Sequence, residues 1–294
     1  MKTRKNTARP ANSIVRIYDE PGPKTRRNMR IGSAASLLAL AVLVIAGTVQ
    51  FAAHGQLDPA KWAPFLSGAV WAYLGAGLLG TLQSAAVVAV LGGVLGLFLA
   101  FGRMSRSTPI RWVSSLYVEV ARTVPVLLLI YLMLFGLPQL GINAPTLWKM
   151  AIPLTFTTSA VFAEILRAGI TSLPSGQMEA ALSLGLSRGQ AMRFVILPQA
   201  ARNVSPSLLT QFVSLLKDTT LGYIVAYTDL LYRGQLLTAY LNQLIPTYIV
   251  ITLVYLAVSG SLTALATHLQ NRLERKPVPA VVPAVLPALE HSAS

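Results

Sequence analysis

The chain has 294 residues, of which 54% are apolar and 12% charged, against about 25% charged in an ordinary soluble domain. That balance excludes a soluble globular domain and places the chain in a membrane. The formal charge of +14 does not mark a nucleic-acid binder. Nine basic residues lie before residue 31, and most others border apolar segments, as the positive-inside rule requires. There is no cysteine, so a disulfide framework and a thiolate metal site are both excluded.

Residues 1–30 read as a basic, polar cytoplasmic segment with Pro10, Pro21 and Pro23. No charge falls between Arg30 and Asp58, and 33–53 is long enough to span, since a bilayer needs about 20 residues. Residues 31–57 are thus read as an N-terminal transmembrane helix with its external loop. A cleaved signal peptide is the rival, but its whole length is about 15–30 residues, and here the basic part alone is that long. Asp58, Lys61 and Trp62 mark the far side. A second helix is expected at about 70–101, preceded by an interfacial segment, with Gly92 and Gly96 forming a small-residue packing face.

Arg103, Arg106 and Arg111 return the chain to the inside. The third span is expected from about Thr123 to Leu140, with Glu119 and Arg122 three apart and able to pair. The fourth runs from about Leu147 to Ala168, with Glu164 and Arg167 spaced likewise. The fifth is expected to start at Ser205-Pro206 and end near Val225. The sixth covers about 244–267. His268 to Lys276 is a basic inner flank, and 277–294 is a Pro/Ala-rich tail expected to be disordered and cytoplasmic. The fold class is therefore an all-α polytopic membrane protein with about six transmembrane helices. An even count puts both termini inside, in agreement with the charge rule.

Residues 169–198 stand apart. Pro174 suits a helix start. Gly185 stands where a left-handed helix stop is wanted, and Ser187 with Gln190 forms a capping box. Pro198 is expected to close the second helix. Two short helices bent at Gly185 make a cytoplasmic device shaped to dock into another protein.

A polar stripe crosses the fifth span: Gln211, Ser214, Lys217, Asp218 and Thr219. On the expected boundaries Lys217 and Asp218 lie about 18 Å into the helix, near the midplane. Ionisable groups there mark a functional path by default, and the bland reading is a structural ion pair. Neighbouring residues on a helix diverge by about 100°, so the two should have different partners. Thr155, Thr157, Thr158 and Ser159 on the fourth span are the second place to look.

Other chemistry is missing. There is no GxxxxGK[ST] phosphate loop, and GAGLLGT at Gly75–Thr81 lacks the lysine. His54, His268 and His291 are scattered, with no metal spacing. No catalytic residue, cofactor site or metal site is expected. An energy-consuming function needs a separate ATPase.

EAALSLGLSRGQAMRFVILPQA closely resembles the cytoplasmic EAA loop of bacterial ATP-binding-cassette importer permeases. Glu179, Ala180, Ala181, Gly185, Ile196, Leu197 and Pro198 fill its pattern. AEILRAGI and LLKDTTLGYI resemble the polar amino-acid branch. YDEPGPKTRRN, GQLDPAKWAPF and SLTALA resemble the glutamate-permease subgroup. Where many relatives carry Arg-Gly-Thr-Pro, this chain has Arg122-Thr123-Val124-Pro125.

The resemblance implies a five-helix permease core at 58–276, carrying the coupling loop at 169–198, in the cytoplasmic membrane of a bacterium. It implies a second permease subunit, two cytoplasmic ATPase subunits that bind the ATP, and an extracytoplasmic amino-acid-binding protein. Membrane lipid is the remaining partner, and nucleic acid is not one. Glutamate is the preferred substrate, with glutamine or another polar amino acid as rival. An ion-coupled carrier commonly shows internal repeats, and none is convincing here. A membrane-anchored scaffold would explain the loop but not the stripe.

Overall fold

The computed structural model describes residues 23–274. The expected N-terminal segment up to residue 22 and the tail at 277–294 lie outside them. The chain divides at Lys61/Trp62 into two units. The first contains α1 (Pro23–Ala53), a 31-residue helix. It is apolar around its circumference, with Leu37, Leu38, Leu40, Val42 and Leu43 all exposed, as suits a helix facing lipid. Residues 23–30, expected in the basic segment, form its first two turns.

A short helix, α2 (Pro59–Trp62), and a 3₁₀ turn at Ala63–Leu66 lead into the second unit. There α3 (Gly68–Arg103) is one unbroken helix of 36 residues, capped by Ser67, whose side chain accepts from the Ala69 N–H. Its partner is α7 (Thr146–Thr171). The two approach closely because Gly96 has no side chain. A Cβ there would lie 2.7 Å from the Phe162 Cβ and 2.8 Å from the Ser159 carbonyl oxygen.

Between them lie α4 (Thr108–Thr123), α5 (Val126–Tyr131), a π-turn at Leu132–Gly136 and α6 (Leu137–Gln139). The third span expected from about Thr123 to Leu140 corresponds to the second of two legs, Val126–Gln139, bent by 92° from the first, Thr108–Thr123, at Val124-Pro125. Pro125 forces the cause: it disfavours helical geometry at the residue before it, and Val124 is extended at φ −77, ψ 125.

The fifth helix also differs from expectation. After α8 (Ser175–Ser183) and α9 (Arg188–Ala191), a π-turn at Met192–Ile196 passes directly into α10 (Leu197–Asp218). Pro198 does not close a helix. It sits in the first turn of α10, where a missing N–H costs little, and Leu197 bonds back to the Met192 carbonyl across the π-turn. Nor do Ser205-Pro206 start a span, since Pro206 is interior. The Arg202 carbonyl that Pro206 leaves free accepts the Ser205 hydroxyl at 2.9 Å instead.

A 3₁₀ stretch at Thr219–Val225 leads to α11 (Leu230–Leu241) and α12 (Leu244–Glu274). The core has three parts. Val88, Ile130, Met150, Leu154 and Leu215 fill the middle. Phe65, Leu74, Leu230, Leu237 and Ile251 fill one end. Leu99, Ala100, Val118, Ala160 and Ala163 fill the other. Four described helices are long and apolar enough to cross a membrane, and five if the bent pair counts as one span. The polar α10 is not among them.

Candidate functional site: a bent two-helix loop and a charged cavity

The loop at 169–198 is built by backbone signals. Gly185 has φ +83, a conformation that costs side-chain-bearing residues energy. The Leu186 N–H reaches the Ala181 carbonyl at 3.2 Å, and the Gly185 N–H reaches Leu182 at 3.0 Å. This double bond pattern is the Schellman stop. Two residues on, the Ser187 side chain accepts from the Gln190 N–H while the Gln190 side chain accepts from the Ser187 N–H. The bend between α8 and α9 is therefore fixed without tertiary help.

Of the loop residues singled out, Ala181 and Ile196 are buried. Glu179, Ala180, Gly185 and Pro198 are exposed. Leu184, at the bend, is 83% exposed, and Phe194 is exposed nearby. Two large apolar side chains and a carboxylate exposed in the same loop suit contact with a protein partner.

The stripe on α10 splits in two. Gln211 and Asp218 line one cavity of about 310 Å³ together with Arg122, Thr157, Thr158 and Val161. Ser214 and Lys217 line another, of about 270 Å³, with Thr210, Thr263 and Thr267 between α10 and α12. Lys217 and Asp218 thus line different cavities. Thr219 belongs to neither cavity: it is fully buried, and its hydroxyl donates to the Leu216 carbonyl at 2.8 Å. The depth also changes. Asp218 is the last residue of α10 rather than a point midway along it.

Arg122 stands three residues from Glu119, a spacing that allows a pair. Among the described residues the ion pairs are Arg103–Glu164 and Arg167–Glu164, and Arg122 instead faces Asp218's cavity. The 92° bend after Thr123 gave no signal from which this orientation could be read, beyond Pro125 itself.

Residues 92–275 match the family described as binding-protein-dependent transport system inner membrane component. The chain belongs to this permease family. The permease is 37% identical over 75% of its length to the glutamate transport system permease protein GluD of Corynebacterium glutamicum, covering 82% of that protein. It is 38% identical over 65% of its length to the probable glutamine ABC transporter permease protein GlnM of Bacillus subtilis, covering 89% of it. A solved amino acid ABC transporter with histidines matches with TM-score 0.66 and 33% identity, over 74% of this chain and 97% of that one.

Two further polar arrangements frame the permease core. Toward the C-terminal end of α7, Glu164 bonds Arg167 at 2.7 Å and Arg103 of α3 through its other oxygen. At the opposite end, Asp229 caps α11 by accepting from the Tyr232 N–H at 2.7 Å. Its Oδ2 is buried without a partner. Burial raises the Asp229 pKa from 3.8 to about 6, opposed by backbone N–H groups of Tyr232, Leu231 and Asp229 itself.

Proposed function

We propose that this permease moves a polar amino acid, glutamate first, through an ATP-driven importer. The observation that carries this reading is that Arg122 and Asp218 line one cavity. A guanidinium and a carboxylate available to one cavity suit the carboxylate and ammonium of an α-amino acid, as charge-assisted pairs. Gln211, Thr157 and Thr158 add neutral hydrogen-bonding groups. The cavity falls in the size range of small-molecule sites, about 300–1,000 Å³.

The loop at 169–198 receives a cytoplasmic ATPase subunit through Leu184, Phe194 and Glu179. A second permease brings a second such loop, so two ATPase subunits bind. An extracytoplasmic binding protein delivers the substrate. There are six crossings, with α10 as the polar one, and both termini are cytoplasmic. Gln211, Ser214, Lys217, Asp218 and Thr219 remain the substrate-path candidates, with Gln211 and Asp218 foremost because they share the cavity with Arg122.

Similarity to GluD supports glutamate, and similarity to GlnM keeps glutamine as the second reading. Proteoliposomes holding the permease pair, its ATPase and its binding protein distinguish them. ATP-dependent glutamate uptake that excess glutamine does not inhibit is the expected result. Uptake that needs an ion gradient and no ATP would refute the importer reading.

A further inference from the structure

The helix α3 is held by directed polar contacts around Gly80 and Thr81 and at its C-terminal end, and between them by apolar and small residues. At the outer end, Thr81 Oγ1 accepts from the Leu230 N–H at 3.1 Å, and the Tyr227 hydroxyl donates to the Gly80 carbonyl at 3.2 Å. The backbone of Thr228 and Asp229 presses on the bare faces of Gly80 and Gly77, where a Cβ would meet Thr228 O at 2.6 Å and Asp229 O at 3.0 Å. At the inner end, Arg103, the last residue of α3, bonds Glu164 of α7. Between these points α3 meets α7 through Gly92 on Thr158 and Gly96 on Phe162 and Ser159, and through the clusters that hold Val88, Leu99 and Ala100. Packing of this kind carries no directed bond, whereas the charge-assisted hydrogen bond at Arg103 fixes one pair of atoms across the two helices.

Glu164 also sits at the root of the two-helix loop. α7 ends at Thr171 and α8 begins at Ser175. Gly169 packs on Val204 of α10, about 140° around α7 from Glu164. The inner end of α7 is thereby clamped to α10 on one side and to α3 on the other.

We propose that Arg103 and Glu164 are positioning residues that tie the coupling loop to α3, so that α3 carries displacement of the loop to the outer segment Tyr227–Leu230. This rests on the coupling-loop reading above. Thr81 and Arg103 are about 33 Å apart along one uninterrupted helix, which makes α3 the direct mechanical link between the two faces.

The test uses the whole importer, with its ATPase, in nanodiscs. The chain lacks cysteine, so Gln235→Cys puts this subunit's single thiol on the exposed side of α11. Its labelling rate by a bulky maleimide is measured without nucleotide and with ATP plus orthovanadate. The expected change is about fivefold, the lower end of typical coupling between sites. Glu164→Gln and Arg103→Ala abolish that change while the ATPase still copurifies, and Arg103→Lys retains it. An undiminished change in Glu164→Gln overturns the proposal. So does a thiol that never responds, or loss of ATPase copurification in both variants, which would make the pair an assembly contact. Failure of the unaltered chain to bind the ATPase refutes the coupling-loop reading instead.

Discussion

Gln177 and Gln199, 22 residues apart, meet side chain to side chain: the Gln199 amide donates to the Gln177 oxygen at 3.3 Å. The same amide donates to the Val195 carbonyl at 3.0 Å, across the π-turn. The first helix of the loop is thereby held to the start of α10. With the bend set at Gly185, the loop has a defined direction rather than a range of them.

Gly185→Val tests that direction. Nothing lies within 4 Å of a Cβ at this position, so the cost is in the backbone alone, about 1–2 kcal/mol or more. The spans stay inserted and the loop is misaimed. ATPase copurification and uptake should both fall, and Gly185→Asn, which tolerates a positive φ, should restore much of both. Normal uptake by the valine variant would remove the loop from the coupling role.

Asp218→Asn keeps size and hydrogen bonding but removes charge from the Arg122 cavity. The complex should assemble and melt normally, with uptake reduced about tenfold, equivalent to about 1.4 kcal/mol of lost substrate interaction. Arg122→Gln should behave alike. Lys217→Met, in the other cavity, should affect uptake less. Low yield or a lowered melting temperature in Asp218→Asn would point to a structural partner instead.

Asp229 makes a pH prediction. A carboxyl with a raised folded pKa binds its proton more tightly in the fold than in the unfolded chain. That contribution to stability is full below about pH 4 and is lost as pH rises to about 6. The shift of about two units is worth about 3 kcal/mol. Asn at 229 keeps an acceptor for the Tyr232 N–H and does not titrate. Denaturation of the parent should therefore become easier between pH 4 and 6 relative to Asp229→Asn. Parallel pH profiles would rule the burial effect out.

Gly96→Val should destabilise the α3–α7 pair by about 1–3 kcal/mol, the usual range for overpacking. Gly260→Val, where nothing lies within 4 Å, should change stability far less. Thermal unfolding of the purified permease in detergent compares them directly.

A reporter fused after Lys276 should be cytoplasmic, and one placed near Asp58 external. An external C-terminus would mean that one of the six crossings is miscounted, and α10 would be the first to re-examine.

The loop was legible because its signals act within a few residues: Gly185 for the stop, Ser187 and Gln190 for the next start. The α3–α7 packing face was legible for a similar reason, since Gly92 and Gly96 mark it four residues apart. The fifth span was less so. Ser205-Pro206 carries the chemistry of a helix start, yet the Ser205 hydroxyl pairs the carbonyl that Pro206 frees, so the helix continues. The helix α11 was missed, although Asp229 caps its start and Asn242 ends it at φ 54. Arg122 was out of reach because its cavity exists only once Pro125 has turned the chain and Gln211 and Asp218 have come alongside.

The π-turn at Met192–Ile196 has a consequence for chain length. Such a turn holds one residue more than the α-turn it replaces. Every side chain after Ile196 is consequently rotated by about 100° from where an unbroken ladder beginning at Ser187 would put it. The azimuth of Gln211 and Asp218 is thus set by counting residues between loop and span. Deleting one residue from 192–196 would close the turn into a plain α-ladder and leave the carboxylate where it is, whereas closing the turn without a deletion would swing it about 100° away from Arg122's cavity. The π-turn, more than residue identity, is what this stretch must keep.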